Sequence, residues 1–214
     1  MFRRSSEGLW RSSLLDALGC VDHGFATRHL PQWPDEYARV RQVHSAMVHE
    51  ASADSPEGDG LVTHVPDRWI GIRTADCVPV LLADPRTRSV AAVHAGWRGT
   101  AAGIIPEALE RMRALYGTHS ADIVAAIGPC IASCCFEVGP DVGAQFPDDF
   151  EQDPPRVDLV AANRRQLYES GVAESRIDVS GLCTMCDAAE FESFRRDRER
   201  SGRMVSAIRI LASA

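Results

Sequence analysis

Apolar runs that alternate with a helical segment constrain the fold of this chain more than any other feature of its sequence. Residues 69–84 indicate two strands separated by a break, and residues 89–96 form an apolar run typical of a buried strand. A Gly-rich turn and a helical pattern over 101–117 follow, and then a further apolar strand at 122–127. Strands that alternate with helices predict an α/β fold.

The remaining segments extend this pattern. Residues 158–171 predict a helix with a capping Asp and a terminal Gly, and residues 203–211 predict a closing strand. The acidic, Pro-rich stretch 146–158 is expected to be an exposed loop, and the apolar residues within 9–18 fit one short amphipathic helix. Pro79 argues against a regular central strand at its position.

Composition narrows the classes of function. The 214 residues are 45% hydrophobic and 25% charged, which suits one large globular domain or two small ones, and we expect a single domain spanning 1–214. The net charge of -7 argues against nucleic-acid binding, since such proteins usually present a basic face. No stretch is long and apolar enough to span a membrane. We therefore expect neither a nucleic-acid nor a membrane partner.

The basic residues and the cysteines limit the chemistry further. All 23 basic residues are Arg, which excludes Schiff-base, pyridoxal-phosphate and P-loop lysines. Bound phosphate would have to meet guanidinium or backbone N–H groups. Seven cysteines, an odd number, without an apolar secretory region indicate reduced thiols and a cytoplasmic location.

Several polar residues lie at strand ends, where α/β proteins place their chemistry. Asp76 and Cys77 occupy the break between two strands, His94 ends a buried strand, and His44 follows a polar loop. One thiolate and two imidazoles are good zinc ligands, and three protein ligands leave one coordination position open, as in catalytic zinc sites. No short spacing links the three donors, so core or loop roles remain open on the residues alone.

Longer motifs run in order along nearly the whole chain. They are HGFATR (23–28), QVHS (42–45), GDGLVT (58–63), TADCVPVLL (74–82), VHAGWRGTAAGI (93–104), IGPCIASCCFEVGPDV (127–142), DLVAANRRQL (158–167), CTMC (183–186), and FESFRRD with SGRMVSAI (191–208). Through these motifs the sequence resembles the laccase-domain family, also called the multicopper polyphenol oxidase or YfiH-like family.

The resemblance carries expectations of fold and function. It implies a mixed-sheet α/β sandwich, related in architecture to a bacterial toxin with a Cys–His pair. It implies a zinc site at His44, Cys77 and His94, with Cu²⁺ as the alternative metal. The implied activity is phosphorolysis of adenosine, inosine, guanosine and methylthioadenosine, together with adenosine deamination. The expected partners are a purine nucleoside and phosphate, bound by a monomer or a homodimer.

Four further residues are candidates for the site. Arg98, in a Gly-rich turn before a helix, suits phosphate capture, although it could instead tie down a loop. Asp76 could donate a proton or support the neighbouring cysteine, and otherwise it is a turn residue. Gln42 could hold the substrate or orient His44, and Cys130 could line the pocket.

The other cysteines are expected to be structural. Cys134 and Cys135 are predicted to be small core residues. Cys183 and Cys186 form a CxxC, which alone suggests zinc or redox chemistry, but the chain has no second CxxC. We therefore expect this CxxC to have a structural role.

Three other functions stay open. A copper oxidase acting on phenols could use a blue-copper centre of two His and one Cys, but reduction of oxygen needs many more imidazoles, and the chain has no His-x-His pair. A metal-free hydrolase could use a Cys77–His94 pair. A non-enzymatic binding module fits the polar strand ends less well.

Overall fold

The computed structural model describes residues 1–212, in which short elements alternate along the chain. The strands are β1 (Phe2–Arg4), β2 (Trp10–Ser12), β3 (Val21–Phe25), β4 (Val48–Glu50), β5 (Gly60–Thr63), β6 (Ile70–Thr74), β7 (Val78–Asp84), β8 (Ser89–Ala95), β9 (Val124–Ile127), β10 (Phe150–Gln152), β11 (Pro155–Val157), β12 (Ile177–Val179) and β13 (Met204–Ile210). The α-helices are α1 (Ser13–Asp16), α2 (Trp97–Ala101), α3 (Ile104–Tyr116), α4 (Pro140–Gly143), α5 (Leu159–Glu169) and α6 (Phe194–Asp197). None of the helices described is both long and apolar enough to cross a membrane.

Two sheets carry most of these strands. The six-stranded sheet has the order β12-β9-β7-β8-β5-β4, and its outer pairs β12/β9 and β4/β5 are parallel whereas the inner pairs are antiparallel. The five-stranded sheet has the order β1-β2-β3-β13-β6 and is antiparallel throughout. The predicted mixed-sheet α/β class is therefore confirmed.

The six-stranded sheet is the middle of three layers. Side chains on one face of β7, such as Val80, pack in a core that also contains Ile105 of α3. Side chains on the other face, such as Leu81, pack in a second core with Ile72 and Ile208 of the five-stranded sheet. All residues of β7 and β8 are buried, which explains why their sequences are continuously apolar instead of alternating.

Most elements expected from the sequence are present. The two strands predicted within 69–84 are β6 and β7, and the run 89–96 contains β8. In α5 the side chain of Asp158 accepts a hydrogen bond from the N–H of Ala161 at 2.8 Å, as expected for a capping Asp. The predicted closing strand is β13.

Pro79 lies inside a central strand, contrary to expectation. Its carbonyl accepts a hydrogen bond from the N–H of Gly128 at 2.9 Å. Because the N–H and C=O of one residue in an antiparallel strand point to the same side, the missing N–H faces Gly128, beyond the end of β9 at Ile127. The ladder with β8 therefore loses no hydrogen bond at this position.

Two other local expectations are wrong. Residues 146–158 are not an irregular loop throughout, because β10 and β11 pair there as an antiparallel hairpin. The apolar residues within 9–18 do not form one helix, since Trp10 lies in β2 and pairs with both β1 and β3. In the second case, backbone pairing in the five-stranded sheet overrides the local helical pattern.

The buried His23 of β3 leads to a prediction about acid stability. Its ring Nε2 accepts a hydrogen bond from the N–H of Ser12 at 2.9 Å, and its side chain is fully buried. Burial, with the nearby charge of Arg11, lowers the pKa of His23 to about 4. The unfolded chain takes up a proton near pH 6.5. Stability from neutral His23 is therefore complete above pH 6.5 and is lost as the pH falls towards 4.

We expect His23→Gln to remove this part of the pH dependence, because a neutral amide does not titrate. The difference from wild type should reach on the order of 3 kcal/mol across this pH range. The free energy of unfolding in urea, measured from pH 7 to pH 4.5, tests the expectation, with the exposed His119→Gln as control. An unchanged slope in His23→Gln would show that this histidine does not titrate on unfolding.

Candidate metal centre

The structure brings His44, Cys77 and His94 together at one end of the six-stranded sheet. Cys77 lies where the chain passes from β6 to β7, and hence from one sheet to the other. His94 is the last residue but one of β8, directly opposite Pro79 of β7. His44 reaches them from the loop before β4. The nearest ligand atoms of the three side chains all lie within 4.8 Å of one another.

The donor atoms fit a single metal ion. The Sγ of Cys77 lies 3.9 Å from Nε2 of His44. A tetrahedral zinc ion with Zn–N of ~2.0 Å and Zn–S of ~2.3 Å would hold these two atoms about 3.5 Å apart. The ring centroids of His44 and His94 are 4.9 Å apart, and the planes are at 74°. His94 is buried whereas His44 is exposed, so the cluster opens on one side.

Asp59, just before β5, fixes both histidines. Its fully buried carboxylate accepts a hydrogen bond from Nδ1 of His94 at 2.7 Å, which directs the other ring nitrogen towards Cys77. The same carboxylate accepts from the backbone N–H groups of His44 at 3.0 Å and Ser45 at 2.6 Å. One carboxylate therefore positions the loop that carries His44 and the ring of His94.

The charges in this cluster favour a cation. Burial opposes ionisation of Asp59, but hydrogen bonds from His94 and Ser45 lower its pKa to about 2. Burial also raises the pKa of Cys77, yet hydrogen bonds with His44 and His94 bring it down to about 6. Burial lowers the pKa of His94, but Asp59 and Cys77 raise it to about 9. Two anionic groups thus flank one imidazole, and metal binding would release the proton that His94 carries.

The backbone around the donors is held in uncommon conformations. His44 has φ 61° and Asp76 has φ 88°, both in the left-handed region that side chains other than Gly rarely adopt. A Cβ on Gly96 would lie 3.0 Å from Cδ2 of His44 and 3.2 Å from Sγ of Cys77. The absence of a side chain at Gly96 therefore leaves room for the imidazole and the thiol. The strained backbone conformations of His44 and Asp76 are of the kind that functional sites often contain.

Asp76 is tied to loops on the other side of the cluster. Its carboxylate accepts hydrogen bonds from the hydroxyl of Thr184 at 2.7 Å and from the N–H of Arg195 at 2.6 Å, and its carbonyl accepts from the N–H of Ile131. Because both carboxylate oxygens already accept hydrogen bonds, they hold the strained turn that carries Cys77. This arrangement suits a positioning residue better than a proton donor.

A cavity of about 740 Å³ opens directly beside the three donors. Its lining includes five arginines, namely Arg39, Arg41, Arg73, Arg195 and Arg203. Arg41 forms an ion pair with Glu57 at 2.6 Å. The guanidinium groups of Arg39 and Arg73 form no hydrogen bond or ion pair with any residue of 1–212. The rings of Phe136 and Phe194 also line the cavity, so it combines free positive charge with aromatic surface.

The other predicted site residues are placed differently. Gln42 lines the cavity, but its amide makes two 2.8 Å hydrogen bonds with the backbone of Arg73, which anchors the loop before His44 to β6. Arg98 does not lie before a helix, as expected, but within α2, where it is exposed and stacks on Trp97 at 4.3 Å. Neither Arg98 nor the buried Cys130 is among the residues that line the cavity.

Sequence reasoning missed the residues that complete the site. Asp59 lies between two glycines at the start of a strand, in GDGLVT, and this placement of an acid at a strand end was the available signal. Arg73 is in β6, whose other residues are all buried, so a charged residue in that apolar run was also a signal. The guanidinium group of Arg195 donates a hydrogen bond to the carbonyl of Glu137 at 2.9 Å and also lines the cavity.

Comparisons with known proteins show the family to which this chain is related. A family model described as multi-copper polyphenol oxidoreductase laccase matches residues 24–211. A purine nucleoside phosphorylase of Bacteroides thetaiotaomicron is 41% identical over 164 residues, covering 71% of this chain and 60% of the relative. A second, of Deinococcus radiodurans, is 41% identical over 182 residues, covering 81% and 70%. A protein named adenosine deaminase RL5, of an unknown prokaryotic organism, is 36% identical, covering 81% and 75%.

Solved structures share the fold over their full length. The crystal structure of YlmD from Geobacillus stearothermophilus superimposes with a TM-score of 0.88 at 27% identity, covering 99% of both chains. YfiH from Bacillus licheniformis gives a TM-score of 0.86 at 27% identity, covering 98% of both chains. The expected YfiH-like type of fold is thus confirmed. The chain spans only 60% of the length of the Bacteroides relative, so these likenesses establish family and fold.

Proposed function

Because this chain belongs to the multi-copper polyphenol oxidoreductase laccase family, we propose that it is a zinc-dependent purine nucleoside phosphorylase that also deaminates adenosine. The observation that carries the proposal is one cavity in which metal donors, free guanidinium groups and phenylalanine rings lie together. Relatives named purine nucleoside phosphorylase and adenosine deaminase support both activities.

The arginines supply the site for phosphate. In phosphorolysis a phosphate oxygen forms a bond to the ribose anomeric carbon while the bond from that carbon to the purine nitrogen breaks. The electron pair of the broken bond leaves with the purine, which then takes up a proton. Free guanidinium groups of Arg39 and Arg73 would bind the phosphate dianion and hold it for attack. Because neither guanidinium group is paired with a carboxylate of residues 1–212, both can replace the hydration that the phosphate loses on binding.

The aromatic side chains suit the purine base. Phe136 is half-buried and Phe194 is partly exposed at the cavity wall. A purine stacked on either ring gains surface burial without requiring a particular pattern of hydrogen bonds. The volume of about 740 Å³ lies within the usual range for small-ligand sites. A wall of this kind accepts adenine, guanine and hypoxanthine alike, which supports several nucleosides as substrates.

His44, Cys77 and His94 would hold the zinc ion, which when bound supplies Lewis-acid charge stabilisation at the reacting group. The Asp59–His94 hydrogen bond keeps the donor nitrogen of His94 directed at that position. Asp76 and Gly96 keep the thiol and the imidazoles in place. The seven thiols are all free, which supports a reducing, cytoplasmic setting.

The same observations give less support to a copper oxidase. All seven histidines lie within residues 1–212, and of these only His44 and His94 belong to a cluster of three or more metal donors. Reduction of oxygen to water by a multicopper enzyme needs several further imidazoles close by. The single three-donor cluster therefore favours a mononuclear zinc enzyme.

An assay for inosine cleavage with and without phosphate tests the proposal. Zinc-loaded protein should release hypoxanthine only when phosphate is supplied, and should convert adenosine to inosine in its absence. Copper-loaded protein should oxidise phenols weakly at most. Robust phenol oxidation by the copper form, together with no phosphate-dependent cleavage by the zinc form, would support the oxidase and overturn the proposal.

Arg73→Gln should raise the KM for phosphate by about 10- to 100-fold, because a charge-assisted contact of about 1.5–3 kcal/mol is lost. The KM for inosine should change far less. Arg98→Gln is the matched control, since Arg98 is exposed and outside the cavity wall. Steady-state kinetics at varied phosphate measure both variants. An unchanged KM for phosphate in Arg73→Gln would remove this guanidinium from the phosphate site.

A further inference from the structure

A second group of metal donors, which the proposed reaction does not use, lies on two loops next to the cavity. Cys134, Cys135, Cys183 and Cys186 place their four sulfur atoms within 4.8 Å of one another. Cys134 and Cys135 were expected in the core, but Cys134 is exposed and Cys135 only half-buried. Thiols that serve only as packing groups are usually buried. Apolar packing therefore does not explain this cluster.

The spacing of the sulfur atoms matches one tetrahedral ion. The Sγ of Cys135 lies 3.4 Å from that of Cys186, and Cys134 lies 3.7 Å from Cys186 and 3.6 Å from Cys135. Four thiolates bound to zinc at ~2.3 Å are about 3.8 Å apart. A disulfide would require about 2.05 Å, far shorter than any of these separations. These separations, with the sulfur of Cys183 also within 4.8 Å of the other three, are compatible with four ligands around one ion.

The surroundings of the thiols resemble those of a bound thiolate cluster. The N–H of Ala132 points at the Sγ of Cys183, at 3.5 Å. The guanidinium group of Arg196 donates to the carbonyls of Thr184 and Met185, which lie between the two cysteines of the CxxC. One zinc ion with four thiolates carries a net charge of -2, which the N–H group of Ala132 helps to stabilise, while Arg196 holds the CxxC backbone in place.

The two segments that carry the thiols have little regular structure of their own. Residues 128–139 and 180–193 contain no helix and no strand of the two sheets. Backbone hydrogen bonds join them at Cys130, whose N–H donates to Leu182 and whose carbonyl accepts from Thr184. The other hydrogen bonds between these two segments all involve a thiol. A metal ion bound to the four thiols would hold the two loops together in a region where no helix or sheet strand does so.

We propose that Cys134, Cys135, Cys183 and Cys186 bind a second, structural zinc ion. Four sulfur ligands in a tetrahedral arrangement select zinc or iron, and a closed set of four ligands is typical of structural zinc. The ion would hold the loop containing Ile131 and Phe136, which line the cavity, against the loop whose Thr184 binds Asp76. It stabilises one wall of the cavity and takes no part in the reaction.

Metal analysis of the purified full-length protein tests this proposal. Wild-type protein should contain two zinc ions per chain, Cys77→Ala one, and Cys186→Ser one, with a lower Tm in Cys186→Ser. Cys20→Ser is the matched control and should retain two, since Cys20 lies outside both clusters. One ion in the wild type and none in Cys77→Ala would overturn the proposal, as would iron in place of the second zinc.

Cobalt substitution keeps the proposal testable if Cys186→Ser fails to fold. In Cys77→Ala the four-cysteine cluster is intact, and cobalt should give the intense sulfur-to-cobalt charge-transfer and visible bands of a tetrahedral thiolate site. Ellman titration of the metal-stripped, reduced protein should find all seven thiols. Absence of those bands, or a stable disulfide within the cluster in freshly purified protein, would contradict a structural zinc ion. Because the readout is spectroscopic, it is independent of nucleoside cleavage.

Discussion

Cys77→Ala is expected to lower the rate of phosphate-dependent inosine cleavage by on the order of 10³-fold or more, while the protein stays folded. The substitution removes the only thiolate of the three-donor cluster, and two imidazoles alone bind zinc poorly. His44→Ala and His94→Ala should have similar effects, since the three donors act as a unit. Activity, zinc content and the far-UV circular dichroism spectrum are measured together, with Cys20→Ser as the control.

This variant also separates the zinc enzyme from a metal-free hydrolase. If Cys77 acted as a nucleophile paired with His94, removal of metal by a chelator would leave activity intact. For a zinc enzyme, chelation should reproduce the loss seen in Cys77→Ala, and added zinc should restore the wild type only. Cleavage by Cys77→Ala within a few-fold of wild type would remove this cluster from the reaction.

Asp59→Asn is expected to lower zinc affinity and activity by about 10- to 100-fold. It should also lower the free energy of unfolding by about 3 kcal/mol, because a buried charge that accepts several hydrogen bonds is lost. An amide keeps the size of the carboxylate, but its NH₂ group opposes the N–H groups of the His44 loop or of His94. The ring of His94 would then lose its fixed orientation.

Asp84→Asn separates this positioning effect from a general loss of stability. Asp84 is also fully buried and accepts hydrogen bonds from the N–H groups of Arg86 and Thr87, but it lies at the far end of β7. The Asp84→Asn variant should have a lower free energy of unfolding than the wild type and an unchanged affinity for zinc. Chelator competition measures the affinity, and urea unfolding measures the stability. Wild-type zinc affinity in Asp59→Asn would show that Asp59 is only structural.

The sequence by itself determined those strands and helices that depend on local patterns of residues. Continuous apolar runs identified β7 and β8, since strands buried on both faces need no polar positions. The helix α5 was predicted from the capping residue Asp158 and from the helical pattern of the residues after it. These features depend on residues that are near one another in the chain, so they are visible without knowledge of the tertiary structure.

Resemblance to a family, not spacing, grouped the three donors in the sequence. His44, Cys77 and His94 come from a loop, a crossing between sheets and a strand end, and no periodicity links such places. The register of β7 with β8, and the passage of the chain between sheets at residues 75–77, bring them to one point.

Only the tertiary structure decided which other residues join each site. In the folded chain Asp59 contacts both histidines, and Arg73 lines the cavity whereas Arg98 does not. Cys134 and Cys186, which are 52 residues apart in the sequence, lie next to each other. Local patterns report burial within one element, because they reflect a repeating geometry of the backbone. Contacts between loops have no such repeat, since they depend on how sheets and helices pack around the two cores.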